Sequence, residues 1–248
     1  MRAFLIAAMV LGMAAPVLFG GPLGAATSKA HPAKPAAARP AARTNWVQTV
    51  VRTPEGGYRM GNPAARIALI EYGSRTCPHC ALFDAQGVPA LTSKYVANGQ
   101  LSYEFRDFPV HGVIDMGPIL LGQCVSPAQF FPMLNRMMAA QKQLMDRPEI
   151  PAGDQEKLRT MKPGPLIGWL ANYYGYTGFV AQHGVPAARA KACLADPKAL
   201  EAVAKQADTA NSKYALQGTP TFIVNGKVAP NVFDWATLEP ILRAAGAK

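Results

Sequence analysis

The most constraining feature of the sequence is a pair of cysteines, Cys77 and Cys80, that follows an apolar run at residues 67–70. The run predicts a buried strand, and the residues after Cys77 are typical of a helix. A C-x-x-C motif at such a junction indicates redox chemistry. Its two thiols can close a disulfide, and the first faces the positive end of the helix dipole, which favours the thiolate. Because the thiolate is the species that attacks disulfides, the motif predicts disulfide exchange.

The first 26 residues predict a signal peptide. Arg2 is followed by an apolar run over residues 3–19, and small residues at 24–26 fit a cleavage site. An uncleaved membrane anchor is the alternative, although the run is slightly short for a membrane span. We therefore expect export to the periplasm.

Residues 27–45 predict a flexible linker, because they are rich in Ala, Pro and basic residues and contain no carboxylate. The formal net charge of the chain is +10, and five of these charges lie within residues 1–43. The rest of the chain is only mildly basic and has no stripe of alternating basic and aromatic residues. The composition therefore does not predict a nucleic-acid partner.

The body of the chain, from about Trp46, alternates strand and helix patterns. Predicted strands cover residues 67–72, 101–108, 221–224 and 227–229, the last two joined by an Asn-Gly hairpin. Residues 77–98 predict one helix kinked at Pro89, and most of the middle of the chain is helical in pattern. The charged, proline-rich stretch 145–165 predicts a surface loop. We infer an α/β fold with parts at 46–110 and 213–248 and a helical insertion at 111–212.

Two segments carry a family resemblance: Thr76-Cys77-Pro78-His79-Cys80, and Thr219-Pro220-Thr221-Phe222 just before the hairpin. They resemble the DsbA-like thiol:disulfide oxidoreductases of the thioredoxin superfamily, as does Tyr103-Glu104-Phe105-Arg106-Asp107-Phe108-Pro109. The resemblance implies a thioredoxin fold with an inserted helical domain. It implies no bound cofactor, since the cysteine pair is itself the redox centre. Its implied partners are exported proteins with free cysteines and a quinone-linked DsbB-type membrane protein that reoxidises the pair.

The motif residues receive distinct predicted roles. Cys77 is the nucleophile, expected to be exposed with a lowered pKa, and Cys80 is the buried resolving thiol. His79 can donate a hydrogen bond to the Cys77 thiolate, and in the family the Pro78-His79 dipeptide marks oxidising members. The alternatives for the pair are a merely structural disulfide or half of a zinc site, and for His79 a solvated turn residue.

Glu71 and the Thr219-Pro220 dipeptide complete the predicted site. Burial of Glu71 under the helix would raise its pKa and suit it to exchange a proton with Cys80, an acidic position that the family also has. An outward-facing strand residue is the alternative. Thr219-Pro220 resembles the family's cis-proline loop, whose backbone would pair with an extended client. An ordinary trans proline is the alternative.

Cys124 and Cys193 remain once the C-x-x-C pair is assigned. We expect them to form a structural disulfide, which some branches of the family also carry. Two buried free thiols are the alternative. Arg75 could lower the pKa of Cys77, but an arginine in such a position is more often solvated, so it is left outside the predicted site.

The sequence therefore predicts an exported thiol:disulfide oxidoreductase that introduces disulfides into folding envelope proteins. A disulfide isomerase or reductase is the alternative within the same chemistry. An alternative from another class is an envelope protein that binds copper or zinc through Cys77, His79 and Cys80, because thiolates and imidazole are ligands for both metals. No metal is part of the favoured interpretation.

Overall fold

A mixed six-stranded sheet forms the centre of the structure, a computed structural model in which residues 44–248 are described. The predicted signal peptide and nearly all of the predicted linker lie outside the described residues. The strand order is β1-β2-β4-β3-β5-β6, and β3 and β4 run parallel while every other pair is antiparallel. The strands are β1 (Val50–Arg52), β2 (Tyr58–Gly61), β3 (Ile67–Gly73), β4 (Leu101–Asp107), β5 (Thr221–Val224) and β6 (Lys227–Ala229).

The predicted strands are present, and β2 is one that the sequence pattern missed. β2 has four residues and pairs with β4 from Tyr58 opposite Phe105 to Gly61 opposite Ser102. A run this short carries no clear alternation, so its pairing with β4 establishes it as a strand. The interior position of β3, between β4 and β5, explains its apolar sequence.

The described part of the chain contains ten α-helices. The helices are α1 (Pro78–Gln86), α2 (Val88–Leu91), α3 (Val113–Gly122), α4 (Phe130–Met145), α5 (Ala152–Thr160), α6 (Pro163–Tyr173), α7 (Tyr176–Gln182), α8 (Ala187–Leu194), α9 (Pro197–Tyr214) and α10 (Trp235–Ala244). Seven of them, α3 to α9, lie between β4 and β5 in the sequence. The boundaries predicted at residues 46, 110 and 212 stay predictions.

Two local predictions are wrong. The helix expected over 77–98 is divided into α1, α2 and a π-helical turn at Thr92–Val96, with the break at Gly87. Pro89 lies in the first turn of α2, where a missing N–H leaves no hydrogen bond unmade. The loop expected over 145–165 contains α5, a helix without a buried residue. Because α5 has no apolar face, its helical period could not be recognised.

The main core lies between the sheet and helices α1, α4 and α10, and aromatic side chains fill it. The rings of Tyr58 and Phe130 stack with centroids 3.8 Å apart, and those of Phe83 and Phe222 lie 4.6 Å apart. A second core lies among the helices around Met137. Within residues 44–248, no helix is both long enough and apolar enough to span a membrane.

Candidate redox site

Cys77 is the N-cap residue of α1, and Pro78 occupies the first helical position. The pKa of Cys77 is lowered to about 5. The largest cause is a hydrogen bond from Cys80, followed by the Thr219 side chain and the backbone N–H groups of Cys80 and His79, while burial opposes them. A thiolate at the start of a helix is stabilised because these N–H groups have no acceptor within the helix.

The prediction that Cys77 is exposed is wrong, since the residue is 5% exposed. The loop before β5 packs against it, and Sγ of Cys77 donates to the carbonyl oxygen of Thr219 at 3.2 Å. The buried Gln141 side chain of α4 donates to the carbonyl oxygens of Arg75 and Cys77, both at 3.0 Å. Two neighbouring elements thus cover the residue, and Pro78 and His79 form the exposed part of the motif.

Cys80 lies one turn into α1 and is 0% exposed. Burial is the main reason that its pKa is raised well above that of a free thiol, and the hydrogen bond to Cys77 and the nearby Glu71 raise it further. The backbone N–H of Ser74 donates to its sulfur at 3.4 Å. The two thiols are both free in this structure, and their acidities differ strongly.

Glu71 is 2% exposed and lies on the face of β3 that α1 covers. Burial raises its pKa to about 8, although a hydrogen bond from Tyr103 acts in the opposite direction. The Tyr103 hydroxyl donates to Oε2 of Glu71 at 2.6 Å. The outward-facing alternative for Glu71 is therefore wrong.

The His79 imidazole makes no hydrogen bond to another described residue. The predicted bond from this ring to Cys77 is therefore absent from the structure, in which His79 is exposed and Cys77 is buried. The hydrogen bond from Cys80 is the main cause of the lowered pKa of Cys77, and the contribution of His79 comes from its backbone N–H.

The Thr219-Pro220 peptide bond is cis and immediately precedes β5. Oγ1 of Thr219 is buried and has no hydrogen-bond partner among residues 44–248 while Cys77 is a thiol. The same side chain lowers the pKa of Cys77, since its hydroxyl can donate to the thiolate.

A polar network that the sequence did not reveal supports the loop before Cys77. The carboxylate of Asp115, on α3, accepts hydrogen bonds from the hydroxyls of Ser74 and Thr76 and from the backbone N–H of His111. Arg75 is fully buried rather than solvated, and pairs with Asp107 at the end of β4. Nothing in the local pattern marks Ser74, Arg75 and Thr76, because the carboxylates they contact lie more than thirty positions away.

Cys124 and Cys193 form a disulfide that joins the end of α3 to α8. It lies in the second core, apart from the Cys77–Cys80 pair. In the described part of the chain, no group of three or more His, Cys, Asp or Glu side chains could hold a metal ion.

Comparison with known proteins identifies the family. The model of the family described as thioredoxin matches residues 53–244, most of the chain. The chain belongs to the thioredoxin family. A putative protein-disulfide oxidoreductase of Rickettsia bellii is 27% identical to this thioredoxin-family protein over 172 residues, which are 69% of this chain and 58% of the relative. The chain thus spans little more than half the length of that curated relative.

Solved structures share its fold. A protein-disulfide isomerase from Novosphingobium aromaticivorans is 29% identical, with a TM-score of 0.71 over 76% of this chain and 96% of that one. The α-DsbA1 of Wolbachia pipientis is 19% identical and superposes with a TM-score of 0.60 over 78% of this chain and 92% of that one. The prediction of a DsbA-like thioredoxin fold with an inserted helical domain is confirmed.

Proposed function

We propose that this thioredoxin-family protein is an exported thiol:disulfide oxidoreductase that introduces disulfides into folding envelope proteins. The proposal depends on one observation, the unequal acidity of the Cys77 and Cys80 thiols. The pKa of Cys77 is lowered to about 5, and that of Cys80 is raised well above its ordinary value. One sulfur is thus a thiolate at neutral pH while its neighbour keeps its proton. The similarity to a putative protein-disulfide oxidoreductase of Rickettsia bellii and to a protein-disulfide isomerase of Novosphingobium aromaticivorans supports this chemistry.

In the proposed reaction, a client thiolate attacks Cys77 of the Cys77–Cys80 disulfide. A bond forms between the client sulfur and Cys77, and Cys80 leaves as a thiolate that takes a proton from Glu71. A second client thiolate then attacks the first client sulfur, and Cys77 leaves as a stable thiolate. The client gains a disulfide and loses two electrons, which remain on the reduced pair.

The low pKa of Cys77 sets the preferred direction. It stabilises the reduced pair relative to the disulfide, so it makes the disulfide the stronger oxidant. A thiolate with a low pKa is also a good leaving group in the second step. Both effects favour oxidation of clients.

Client attack requires access to a sulfur that the loop before β5 covers. We infer that an extended client segment separates Cys77 from the loop before β5 and binds along Thr219 and Pro220. In the disulfide form Cys77 has no S–H group, so the Thr219 carbonyl can accept a hydrogen bond from a client N–H. Val228 and Phe233, which line a cavity shared with Thr219 and Pro220, expose apolar surface to such a segment.

Export and reoxidation belong to the same proposal. The signal peptide predicted over residues 1–26 would deliver the protein to the periplasm, where disulfides persist. A quinone-linked DsbB-type membrane protein would return the pair to the disulfide. Residues 1–43 lie outside the described part, so the support for export is the sequence pattern alone.

Disulfide isomerisation is the second candidate, because the Novosphingobium protein is named an isomerase. Both functions use the same Cys77 thiolate, but an isomerase must start from the reduced pair. Refolding assays separate the two: oxidation is measured on a reduced unfolded substrate, and isomerisation on the same substrate with scrambled disulfides. Faster recovery from the scrambled form would favour the isomerase.

The experiment that tests the function combines titration and trapping. We expect Cys77 thiolate absorbance to titrate near pH 5 and the equilibrium with glutathione to lie toward the reduced pair. The Cys80→Ser variant should accumulate mixed disulfides with exported proteins, and the Cys77→Ser variant, as its control, should not. An ordinary thiol pKa together with a thioredoxin-like reducing potential would contradict the assignment as an oxidase.

A further inference from the structure

We propose that Tyr103 is a positioning residue whose hydroxyl stabilises the Glu71 carboxylate each time Glu71 gives its proton to Cys80. This inference rests on the proposed function, because it assigns a supporting residue to the same exchange reaction. It concerns a residue of β4 that neither the C-x-x-C motif nor the loop before β5 contains.

The register of the sheet brings the two side chains together. In the parallel pair of β3 and β4, Tyr103 lies opposite Leu69, and Glu71 lies opposite Phe105. All four side chains therefore share one face of the sheet, so a tyrosine ring at position 103 can reach along the strands to Glu71. The contact is the hydrogen bond of 2.6 Å from the Tyr103 hydroxyl to Oε2.

Both partners are held in a dry, tightly packed environment. Tyr103 is 1% exposed, and its ring centroid lies 5.5 Å from that of Phe131 on α4. Oε1 of Glu71 also lies close to Gly73, since a Cβ atom at that glycine would be 3.0 Å from it. The hydroxyl is thus aimed at one carboxylate oxygen by packing on several sides.

The group that donates to Glu71 is the neutral hydroxyl of Tyr103, and its lack of charge determines how readily Glu71 can hold a proton. Among residues 44–248, no lysine, arginine or histidine nitrogen lies within 4.0 Å of the Glu71 carboxylate. A buried cation would hold the carboxyl ionised through neutral pH. A phenol stabilises the carboxylate less, so Glu71 can keep a proton at rest and release it when a stronger base forms beside it.

The other titratable groups that face Glu71 are acids. Cys80 and Asp84 lie on α1, Cys77 is its N-cap residue, and burial raises the pKa of Asp84 to about 6. The side-chain amide N–H of Asn135 on α4 donates to Oδ1 of Asp84 at 3.0 Å, and the residue of β5 opposite Glu71 is the uncharged Phe222. Each of these acids, when ionised, repels a negative charge on Glu71. The Tyr103 hydroxyl instead stabilises the Glu71 carboxylate.

Tyr103 acts during the proton transfer between Glu71 and Cys80. When Cys80 leaves the disulfide it holds the electron pair of the broken bond as a thiolate. The Glu71 carboxyl transfers its proton to that sulfur and becomes a carboxylate, whose Oε2 accepts the hydrogen bond from Tyr103. In the reverse reaction the carboxylate takes the proton from Cys80, which frees the sulfur to attack a mixed disulfide. The tyrosine hydroxyl keeps its own proton throughout.

The variant that tests the inference is Tyr103→Phe, which keeps the ring and removes the hydroxyl. Glu71 then loses a donor to its charged form, so its pKa should rise by about one unit or more. The rate at which Cys80 resolves a mixed disulfide on Cys77 should be roughly tenfold lower near neutral pH and should approach the wild-type rate in more alkaline solution. Stopped-flow measurements across pH, with the Glu71 carboxyl followed by NMR, give both quantities.

Tyr95→Phe is the matched control, because the hydroxyl of this buried tyrosine also donates to a carboxylate, that of Glu239, at 2.8 Å outside the redox site. In Tyr95→Phe, the rate at which Cys80 resolves the mixed disulfide should depend on pH as it does in the wild type. In a Glu71→Gln background, Tyr103→Phe should add no further effect on the pH profile. An unchanged midpoint in Tyr103→Phe, or a shift of equal size in the Glu71→Gln background, would overturn the inference.

The two proposals fail in different ways. If the wild-type protein exchanges no disulfides, the proposed function is wrong. The NMR titration of Glu71 in Tyr103→Phe would still show whether the hydrogen bond lowers the pKa of Glu71. A fully active wild type with an unmoved Glu71 pKa in Tyr103→Phe would remove this inference alone.

Discussion

Arg75 and Asp107 form a buried ion pair that joins the loop before the redox motif to the end of β4. Nε of Arg75 lies 2.8 Å from Oδ1 of Asp107, and the exposed fractions of the two side chains are 0% and 1%. The guanidinium also lies 5.2 Å from the ring centre of Phe130 on α4. One arginine thus connects the approach to Cys77 with a strand and a helix of the core.

Breaking this pair should strongly destabilise the fold. Asp107→Asn leaves the Arg75 charge buried without its partner, at a cost of about 3–5 kcal/mol in the free energy of unfolding. Glu156→Gln is the control, because it removes one partner of an exposed pair on α5 and should change that free energy by less than about 1 kcal/mol. Urea denaturation measures the free energy of unfolding of both variants. An equal loss in the two would show that the buried pair contributes no more to stability than the exposed pair.

The reduced protein should gain stability as the pH rises from about 5 toward the range where a free cysteine ionises. In this window the folded state holds Cys77 as a thiolate while the unfolded state still binds the proton, so the unfolded state binds more protons and stability increases with pH. The gain is complete above the pKa of an unfolded cysteine and is lost as the pH falls through the folded value.

Glu71 makes the protein less stable as the pH rises, because its pKa in the folded state, about 8, lies above its ordinary value. The Cys77 contribution is therefore measured as the difference in unfolding free energy between the reduced wild type and Cys77→Ser at each pH. That difference should grow from about pH 5 up to the range where a free cysteine ionises, and a flat difference would mean that Cys77 is not a stabilised thiolate.

Removal of the Thr219 hydroxyl should make the redox pair less oxidising. Thr219→Val keeps the shape of the side chain but cannot donate to the Cys77 thiolate, so the pKa of Cys77 should rise. The equilibrium constant with glutathione should shift toward the disulfide, since the reduced form loses stabilisation.

Thr221→Val serves as a control for that variant, because the Thr221 hydroxyl donates to the carbonyl of Gly218 and not to the cysteine pair. Thiolate absorbance against pH measures both proteins. An unchanged or lower Cys77 pKa in Thr219→Val would contradict the proposed hydrogen bond from the hydroxyl.

The Cys124–Cys193 disulfide should stabilise the helical region without influencing the redox pair. Its cysteines are 69 positions apart, and replacement of both by alanine should cost about 2–4 kcal/mol. The pKa of Cys77 should not change, because the two cysteine pairs lie in different cores. A shifted Cys77 titration in the double variant would show that the two regions are coupled.

Much of the fold could be predicted from the sequence because its signals are local. The apolar run of β3, the Cys-Pro-His-Cys helix start and the Asn-Gly hairpin each depend on neighbouring residues, and the structure has β3, α1 and the β5–β6 hairpin there. The short strand β2 and the exposed helix α5 were missed, since neither has an apolar period of its own.

The sequence alone determined which residue types carry the chemistry and where β3, the start of α1 and the β5–β6 hairpin lie. Tertiary structure decided the surroundings of that chemistry: Cys77 is covered by a carbonyl 142 positions away, Glu71 receives its hydrogen bond from Tyr103, and Arg75 is buried against Asp107. Strand and helix signals repeat within a few residues and can be recognised along the chain. Burial and acidity depend on which distant groups pack around a side chain, and that is established only when the sheet and helices assemble.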